Sequence, residues 1–202
     1  MRILVTGAAG FVGRYMSQSL KHAGHQVHAY DLADGEPDIG CMDIREAGEV
    51  DAVVARVRPE ACVHLAGVAF VPDAARDPRG LERINVEGTK HVAAALLRHA
   101  PAARLLFVST AQVYGATHRN AHPLDEQAPL NPSSPYAVSK AAGERLLLDL
   151  FERHGLQVVI ARPGNHTGPG QTPKFVVPAF VAAVRAFRDG LQPVVPVGNL
   201  SS

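Results

Sequence analysis

The stretch Val5–Gly13, VTGAAGFVG, decides the fold of this chain, because it joins an apolar strand to a helix through closely spaced glycines. Glycine lets the backbone turn tightly and approach a pyrophosphate, while the helix offers unpaired N–H groups and its positive dipole end. The pattern predicts a dinucleotide-binding turn, and an ordinary structural strand–turn–helix connection is the alternative. The residues expected to contact the dinucleotide in this turn are Gly7, Gly10, Phe11, Val12 and Gly13.

Strands and helices alternate along the rest of the chain. After a first strand at 2–6, strands are predicted at 26–31, 41–44, 61–67, 103–110, 156–163 and 193–202. Helices are predicted at 11–23, 45–58, 81–99, 136–154 and 178–189. Most of these strands are apolar on both faces, which is typical of a parallel sheet covered by helices on two sides. We therefore predict an α/β fold with a doubly wound, Rossmann-like parallel sheet.

The composition argues against several functional classes. With 202 residues and a formal net charge of +1, the chain lacks the broad basic surface that nucleic-acid binding needs. Cys41 and Cys62 form no CxxC pair, which favours a reducing compartment, and the ten histidines form no recognisable metal-ligand set. The chain enters a predicted strand at once, so we expect no leader, and its apolar runs are too short to span a membrane. We therefore expect a cytoplasmic protein with no metal, membrane or nucleic-acid partner.

An acidic residue ends the second predicted strand. Asp31 stands where a carboxylate can accept hydrogen bonds from the hydroxyl groups of an adenosine ribose. The same carboxylate would repel the 2′-phosphate of NADP, and no arginine follows in DLADGE to offset that repulsion. NAD(H) is therefore favoured as the cofactor, and NADP(H) stays the alternative.

A tyrosine and a lysine stand one helical turn apart in SPYAVSK, at Tyr136 and Lys140. Residues four apart lie on one helix face, and an ammonium about 4 Å away could bring the pKa of tyrosine from about 10 towards neutrality. Ser109 and Thr110 end a predicted strand, at the sheet edge where doubly wound proteins bind ligands. Together these groups predict proton transfer to a substrate carbonyl oxygen. The alternative is a solvated lysine beside a half-buried tyrosine, with the two hydroxyl groups capping a turn.

The motifs TGAAGFVG, HLAG, STAQVYG, YAVSK and RPGNHTGPGQ occur in this order. In them the chain resembles, over nearly its whole length, the extended short-chain dehydrogenase/reductases that act on nucleotide sugars. The segment RPGNHTGPGQ, with FVVPAF after it, is most similar to the reductases that convert GDP-4-keto-6-deoxymannose to GDP-rhamnose. The resemblance implies that Tyr136 is the acid/base, that Lys140 tunes it and holds the nicotinamide ribose, and that Thr110 orients the sugar oxygen.

The resemblance also implies contacts with the ligands. Those implied with the cofactor are Asp43, Ile44, Leu65, Ala66, Gly67 and Pro163, besides Tyr136 and Lys140. Those implied with the substrate are Ser109, Gln112 and Asn165. Such enzymes usually continue further, so we expect residues 1–165 to form the NAD(P)-binding domain and 166–202 to begin a substrate-binding part that is truncated here. A homodimer that uses the Tyr136 helix is a further expectation from the resemblance.

Two departures from the family pattern bear on the reaction. Ala111 and Gln112 stand where the related 4,6-dehydratases carry acidic residues, so no carboxylate is there to abstract a sugar proton, which argues against dehydration. Gly164 stands where these enzymes usually have an aromatic residue, which changes how the sugar or nicotinamide packs. The prediction is a nucleotide-sugar 4-ketoreductase. A nucleotide-sugar 4-epimerase with tightly bound NAD and a non-catalytic dinucleotide-binding protein are the alternatives.

Overall fold

A six-stranded parallel sheet organises the first part of the chain. The computed structural model describes residues 1–32, 37–69, 77–119 and 123–197. The strands are β1 (Arg2–Thr6), β2 (Gln26–Asp31), β3 (Ile39–Cys41), β4 (Ala61–His64), β5 (Arg104–Val108) and β6 (Val158–Ala161). They pair in the order β3-β2-β1-β4-β5-β6, and every pair is parallel. This order confirms the predicted doubly wound sheet, whose strand order reverses between β1 and β4.

Helices connect the strands. They are α1 (Phe11–His22), α2 (Ala47–Val57), α3 (Pro78–Glu82), α4 (Gly88–His99), α5 (Pro135–His154) and α6 (Val176–Arg188). A π-helical turn, Arg83–Glu87, joins α3 to α4, and a 3₁₀ segment, Ala111–Arg119, follows β5. Within the described ranges, no helix combines the length and the apolar character that a membrane crossing requires.

The chain divides into two units, Met1–Gly164 and Asn165–Ser202. The first contains the sheet and the helices α1 to α5. The second contains α6, whose valine and phenylalanine side chains are largely exposed.

Two apolar layers sandwich the sheet. Alternate residues of β1 pack into the two apolar layers, because successive side chains of a strand point to opposite faces. Leu4 is buried in the layer that α2, α4 and α5 cover, together with Leu96 and Phe107. Ile3 and Val5 are buried in the other layer, against residues of α1. The strands are thus apolar on both faces for the reason predicted from the sequence.

The caps of α5 follow from its sequence. The Ser134 hydroxyl accepts a hydrogen bond from the Ala137 N–H at 3.1 Å, and Pro135 occupies the first turn, where its missing N–H costs nothing. At the other end Gly155 adopts a left-handed conformation, with φ of 71°. These signals begin the helix just ahead of Tyr136 and so place the tyrosine in its first turn.

Several predicted strand ends are wrong. β3 ends at Cys41 rather than continuing to residue 44, and β4 ends at His64 rather than at Gly67. β5 and β6 are likewise shorter than predicted. The described part of the last predicted strand, 193–197, is not a strand, and its residues 198–202 lie outside the described part of the chain. Apolar residues continue past the ends of β3 and β4, so composition overstates the length of these two strands.

Three predicted helical features also differ. The helix predicted from residue 81 begins at Pro78, and the π-helical turn interrupts it. The helix predicted to open at Pro178 begins at Val176, and Pro178 lies inside its first turn, where proline is still tolerated. The 3₁₀ segment lies after β5, at positions for which the sequence predicts no helix.

The glycine turn packs backbone against backbone. Gly7 has φ of +71°, and a Cβ there would lie 2.6 Å from the Ala66 nitrogen, in the segment that leaves β4. A Cβ on Gly13 would lie 2.1 Å from the Gly7 oxygen and 2.7 Å from the Ala8 Cα. Both contacts are with main chain, which cannot move aside like a flexible side chain. The turn therefore needs glycine at both positions for the strand, the helix and β4 to meet.

We expect Gly13→Ala to lower the free energy of unfolding by about 1–3 kcal/mol, because the added methyl group overpacks the turn. The matched control is Gly48→Ala, on the exposed side of α2, where an added Cβ would meet nothing within 4 Å. That change should raise the free energy of unfolding, by up to about 1 kcal/mol, through helix propensity. Urea unfolding followed by circular dichroism measures both, and equal midpoints for the two variants would contradict the packing described here.

Candidate functional site

A cavity of about 460 Å³ opens at the carboxyl ends of β1, β2 and β4. This is where the strand order reverses, and doubly wound sheets bind their ligands at that point. Of the residues predicted to contact a dinucleotide, the cavity brings together Gly7, Gly10, Asp31, Asp43, Ile44, Leu65, Ala66 and Gly67. Six other predicted residues are not among those that line it, namely Phe11, Val12, Gly13, Tyr136, Lys140 and Pro163.

Asp31 is held at the mouth of this cavity by two backbone groups. Its Oδ2 accepts a hydrogen bond from the Ala9 N–H at 2.9 Å, and its Oδ1 accepts one from the Leu32 N–H at 2.7 Å. The carboxylate therefore stays next to the glycine turn. A carboxylate accepts further hydrogen bonds readily, which suits it to the hydroxyl groups of a ribose.

Asp43 has a cationic partner that sequence reasoning missed. Arg45 donates to both of its carboxylate oxygens, with the shortest bond, from Nη2 to Oδ2, at 2.6 Å. Hydrogen bonding from Arg45 holds the pKa of Asp43 below its ordinary value, against the opposing effect of burial. This implied cofactor contact is therefore one half of an ion pair that borders the cavity.

Tyr136 and Lys140 lie one turn apart on α5, and both are buried. Burial raises the pKa of Tyr136 above its ordinary value, and a hydrogen bond with Thr110 opposes that shift. The lowering predicted from the Lys140 charge is therefore not seen in the chain itself, because the loss of water around the phenol dominates. The structure does bring Thr110 and Tyr136 together, as the sequence predicted.

Lys140 is buried beside an aromatic ring. Its Nζ lies 4.8 Å from the centroid of the Phe107 ring, and a Cβ on Gly67 would lie 3.7 Å from the same nitrogen. Burial lowers the pKa of Lys140 to about 8, while the charge of Glu144 opposes that change. Because Gly67 also lines the cavity, the lysine sits where the cavity and α5 meet.

His64, which sequence reasoning did not single out, links three elements beneath the cavity. Its ring nitrogens pair with the hydroxyl of Thr6 at 2.7 Å and with that of Thr89 at 3.0 Å, so the ring connects β1, β4 and α4. Burial, and then the charge of Lys140, lower the pKa of His64 to about 3. The imidazole is therefore neutral near pH 7, and it acts as a hydrogen-bonding link rather than as an acid.

Asn85, in the π-helical turn, is a second buried side chain that the sequence did not reveal. Its Oδ1 accepts from the Val68 N–H at 2.9 Å, and its Nδ2 donates to the Ser139 hydroxyl at 2.9 Å. That hydroxyl in turn donates to the Tyr136 carbonyl oxygen at 2.8 Å. Asn85 thus fixes the segment after β4 against the helix that carries the tyrosine. No local spacing in the sequence marks it, since its partners are distant along the chain.

The predicted substrate contacts have mixed outcomes. Ser109 is buried, and its hydroxyl donates to Glu144, so it is not placed to donate to a substrate as predicted. Gln112 is exposed in the 3₁₀ segment, and its N–H donates to the Thr110 hydroxyl oxygen at 3.3 Å. Asn165 begins the second unit and is exposed.

Comparisons with known proteins give one family. A family model described as NAD dependent epimerase/dehydratase family matches residues 3–202. GDP-6-deoxy-D-mannose reductase of Pseudomonas aeruginosa is 36% identical over 198 residues, which cover 95% of this chain and 60% of the relative. dTDP-glucose 4,6-dehydratase of Streptomyces antibioticus is 33% identical over 210 residues, with coverage of 95% and 60%. The chain thus spans about 60% of the length of these curated relatives.

Solved structures agree. RMD from Pseudomonas aeruginosa, complexed with NADPH, superimposes with a TM-score of 0.78 at 32% identity, covering 95% of this chain and 62% of that one. UDP-glucose 4-epimerase of Thermus thermophilus, in complex with NAD, gives a TM-score of 0.82 at 32% identity, with coverage of 98% and 64%.

Because of His64, we expect the free energy of unfolding to decrease as the pH drops from about 6.5 to about 3. In that window the unfolded chain binds a proton at this ring that the folded chain excludes, which costs up to about 1.4 kcal/mol per pH unit. Urea unfolding at a series of pH values should show a smaller pH slope for His64→Asn than for the unchanged protein. The exposed His154→Asn serves as the control. Equal slopes for His64→Asn and the unchanged protein would show that the ring protonates freely in the fold.

Proposed function

Because the chain belongs to the NAD dependent epimerase/dehydratase family, we propose that it reduces the 4-keto group of a nucleotide 6-deoxysugar with a nicotinamide cofactor. The reaction is of the type that converts GDP-4-keto-6-deoxymannose to GDP-rhamnose. The observation that carries the proposal is the buried set of Thr110, Tyr136 and Lys140. Groups of this kind exchange a proton with a carbonyl oxygen, and a protein that only bound nucleotide would gain nothing from burying them together.

The residues around the cavity fit a nicotinamide dinucleotide. Between Gly7 and Gly10 the turn carries no side chain larger than a methyl group, so a pyrophosphate can approach the first N–H groups of α1. Asp31, held by two backbone N–H groups, would bind the adenosine ribose. When bound, the reduced cofactor supplies the hydride for the ketone carbon.

The side chains of α5 and of the turn after β5 carry out the proton transfer. Thr110 orients the sugar oxygen by hydrogen bonding, and Tyr136 donates its phenolic proton to the alkoxide that develops there. Lys140 stabilises the phenolate that remains, since a buried positive charge acts strongly in a medium of low dielectric constant. The raised pKa of Tyr136 in the chain itself keeps the phenol protonated before the reaction, which is the form a proton donor needs.

Dehydration fits this turn less well than reduction does. Ala111 and Gln112 follow Thr110, so the turn supplies no carboxylate to remove a proton from the sugar carbon. A 4-epimerase is the second candidate, since the same three side chains serve its proton transfers and the Thermus thermophilus epimerase is structurally similar. Net consumption of NAD(P)H distinguishes the two, because a reductase consumes one cofactor per sugar and an epimerase consumes none.

We expect Tyr136→Phe to lower turnover by about 10²–10⁴-fold, because the phenolic proton is lost while the ring remains. The affinity for the cofactor should change little. The measurement is NADH and NADPH oxidation against a panel of nucleotide 4-keto sugars, with calorimetric binding of the cofactor alongside. Tyr15→Phe, on the exposed side of α1, is the matched control. Full turnover by Tyr136→Phe would remove this residue from the mechanism and the proposal with it.

We propose NAD(H) as the preferred cofactor, and Asp31 as the residue that makes the choice. The similar structures hold either NADPH or NAD, so likeness alone does not decide between them. Asp31→Asn should improve the affinity for NADPH relative to NADH by at least about tenfold, because a like-charge contact with the 2′-phosphate is removed. Calorimetric dissociation constants for both cofactors test this, with Asp149→Asn, a partly exposed carboxylate on α5, as the control. A preference of the unchanged protein for NADPH would contradict it.

A further inference from the structure

A buried carboxylate on α5 has no part in the function proposed above. Glu144 lies one turn beyond Lys140 and two turns beyond Tyr136, so the three side chains share one face of the helix. Only 1% of its surface is exposed. Acidic side chains are almost never buried this completely unless other groups compensate their charge.

Three donor groups meet this carboxylate. Arg162, directly after β6, donates from Nε to both carboxylate oxygens at 3.1 Å and from Nη2 to Oε2 at 2.7 Å. The Ser109 hydroxyl donates to Oε1. Hydrogen bonding to Glu144 raises the pKa of Arg162 above its ordinary value, so the pair is ionic. An ion pair this deeply buried is often no more stabilising than an apolar pair of equal volume. Stability alone therefore does not account for it.

The carboxylate joins the elements that carry the catalytic set. Ser109 precedes Thr110, and the backbone N–H groups on either side of Thr110 donate to the carbonyl oxygens on either side of Arg162, at 2.8 and 2.9 Å. Backbone hydrogen bonds therefore link the ends of β5 and β6 on both sides of Thr110. Glu144 accepts hydrogen bonds from Ser109 and Arg162, and so links the ends of β5 and β6 to α5, which carries the tyrosine and the lysine.

Glu144 is also the acidic group that acts on Lys140. Burial alone depresses the pKa of the ammonium, and the Glu144 charge opposes that depression. Among the residues that the structure describes, the other groups on this side are uncharged near pH 7: His64 on β4, Asn85 in the π-helical turn and Tyr136 on α5. Arg162 is bound to the carboxylate itself. The negative charge one turn away, together with the ring of Phe107, thus favours a protonated lysine at this buried position.

We infer that Glu144 is a positioning residue: held by Arg162, it keeps Lys140 protonated and, through Ser109, holds Thr110 beside Tyr136. Its catalytic meaning rests on the proposed function. The charge of Lys140, however, can be measured on the folded chain without any turnover, so the two proposals fail separately.

The test is an NMR titration of isotope-labelled lysine in the full chain and in its Glu144→Gln variant. The sequence contains only four lysines, at positions 21, 90, 140 and 174, and Lys140→Arg assigns the signal of interest. In Glu144→Gln we expect the pKa of Lys140 to fall by about one unit or more, as loss of a nearby opposite charge requires. The alkaline limb of the pH profile of kcat should move to lower pH by a similar amount.

Three further variants make the result specific. Glu152→Gln removes an exposed carboxylate from the same helix and should leave the pKa of Lys140 unchanged. Glu144→Asp keeps the charge and should restore most of the shift. If Glu144→Gln does not fold because Arg162 is left unpaired, the double variant Glu144→Gln/Arg162→Met removes both charges, and its Lys140 should still titrate at lower pH than in the unchanged protein.

An unchanged pKa of Lys140 in folded Glu144→Gln or in the double variant would overturn the inference. If instead Tyr136→Phe keeps full turnover, the proposed function fails, and the titration still reports whether Glu144 sets the charge of the lysine.

Discussion

The close approach of two backbones at the centre of the sheet is the constraint on which the rest of the structure depends. The turn after β1 must pass within van der Waals contact of the chain leaving β4, and a side chain on Gly7 would close that gap. The Thr6 hydroxyl reinforces the contact, because it accepts a hydrogen bond from the Ala66 N–H at 3.3 Å and also pairs with His64. Once these strands are joined in this way, the cavity lies between the segments that follow them.

Beneath that cavity several polar groups are kept out of water. Lys140, Glu144 and His64 are all buried, and each has a partner that fixes it: an aromatic ring, a guanidinium, or a pair of hydroxyl groups. A group held in this way costs stability through desolvation, but it also acts strongly on its neighbours, because little solvent screens it. The arrangement suits proton transfer, which needs charges that are fixed before the substrate arrives.

The sequence revealed what local spacing encodes. The glycine turn, the alternation of strands and helices, and the tyrosine–lysine pair are each contained within a few residues, and the sheet order confirmed the fold. It did not reveal contacts between distant residues: Thr6 and His64 are separated by 58 positions, and Ser109 and Glu144 by 35. The direction of the Ser109 hydroxyl and the effect of burial on Tyr136 depend on such contacts. Strand ends were misjudged for a related reason, since apolar residues after β3 and β4 line the cavity or the core rather than extending the strands.

The π-helical turn between α3 and α4 changes the direction in which the residues on either side of it face. It adds a residue to the regular winding at the point where Asn85 faces the Tyr136 helix, while Val92 and Leu96 farther along remain in the core. Each residue advances an α-helix by about 100°. A chain one residue shorter here could keep either the asparagine or the apolar stripe in place, but not both. The extra residue therefore rotates the rest of the helical segment, so that Asn85 faces the Tyr136 helix while Val92 and Leu96 still face the core.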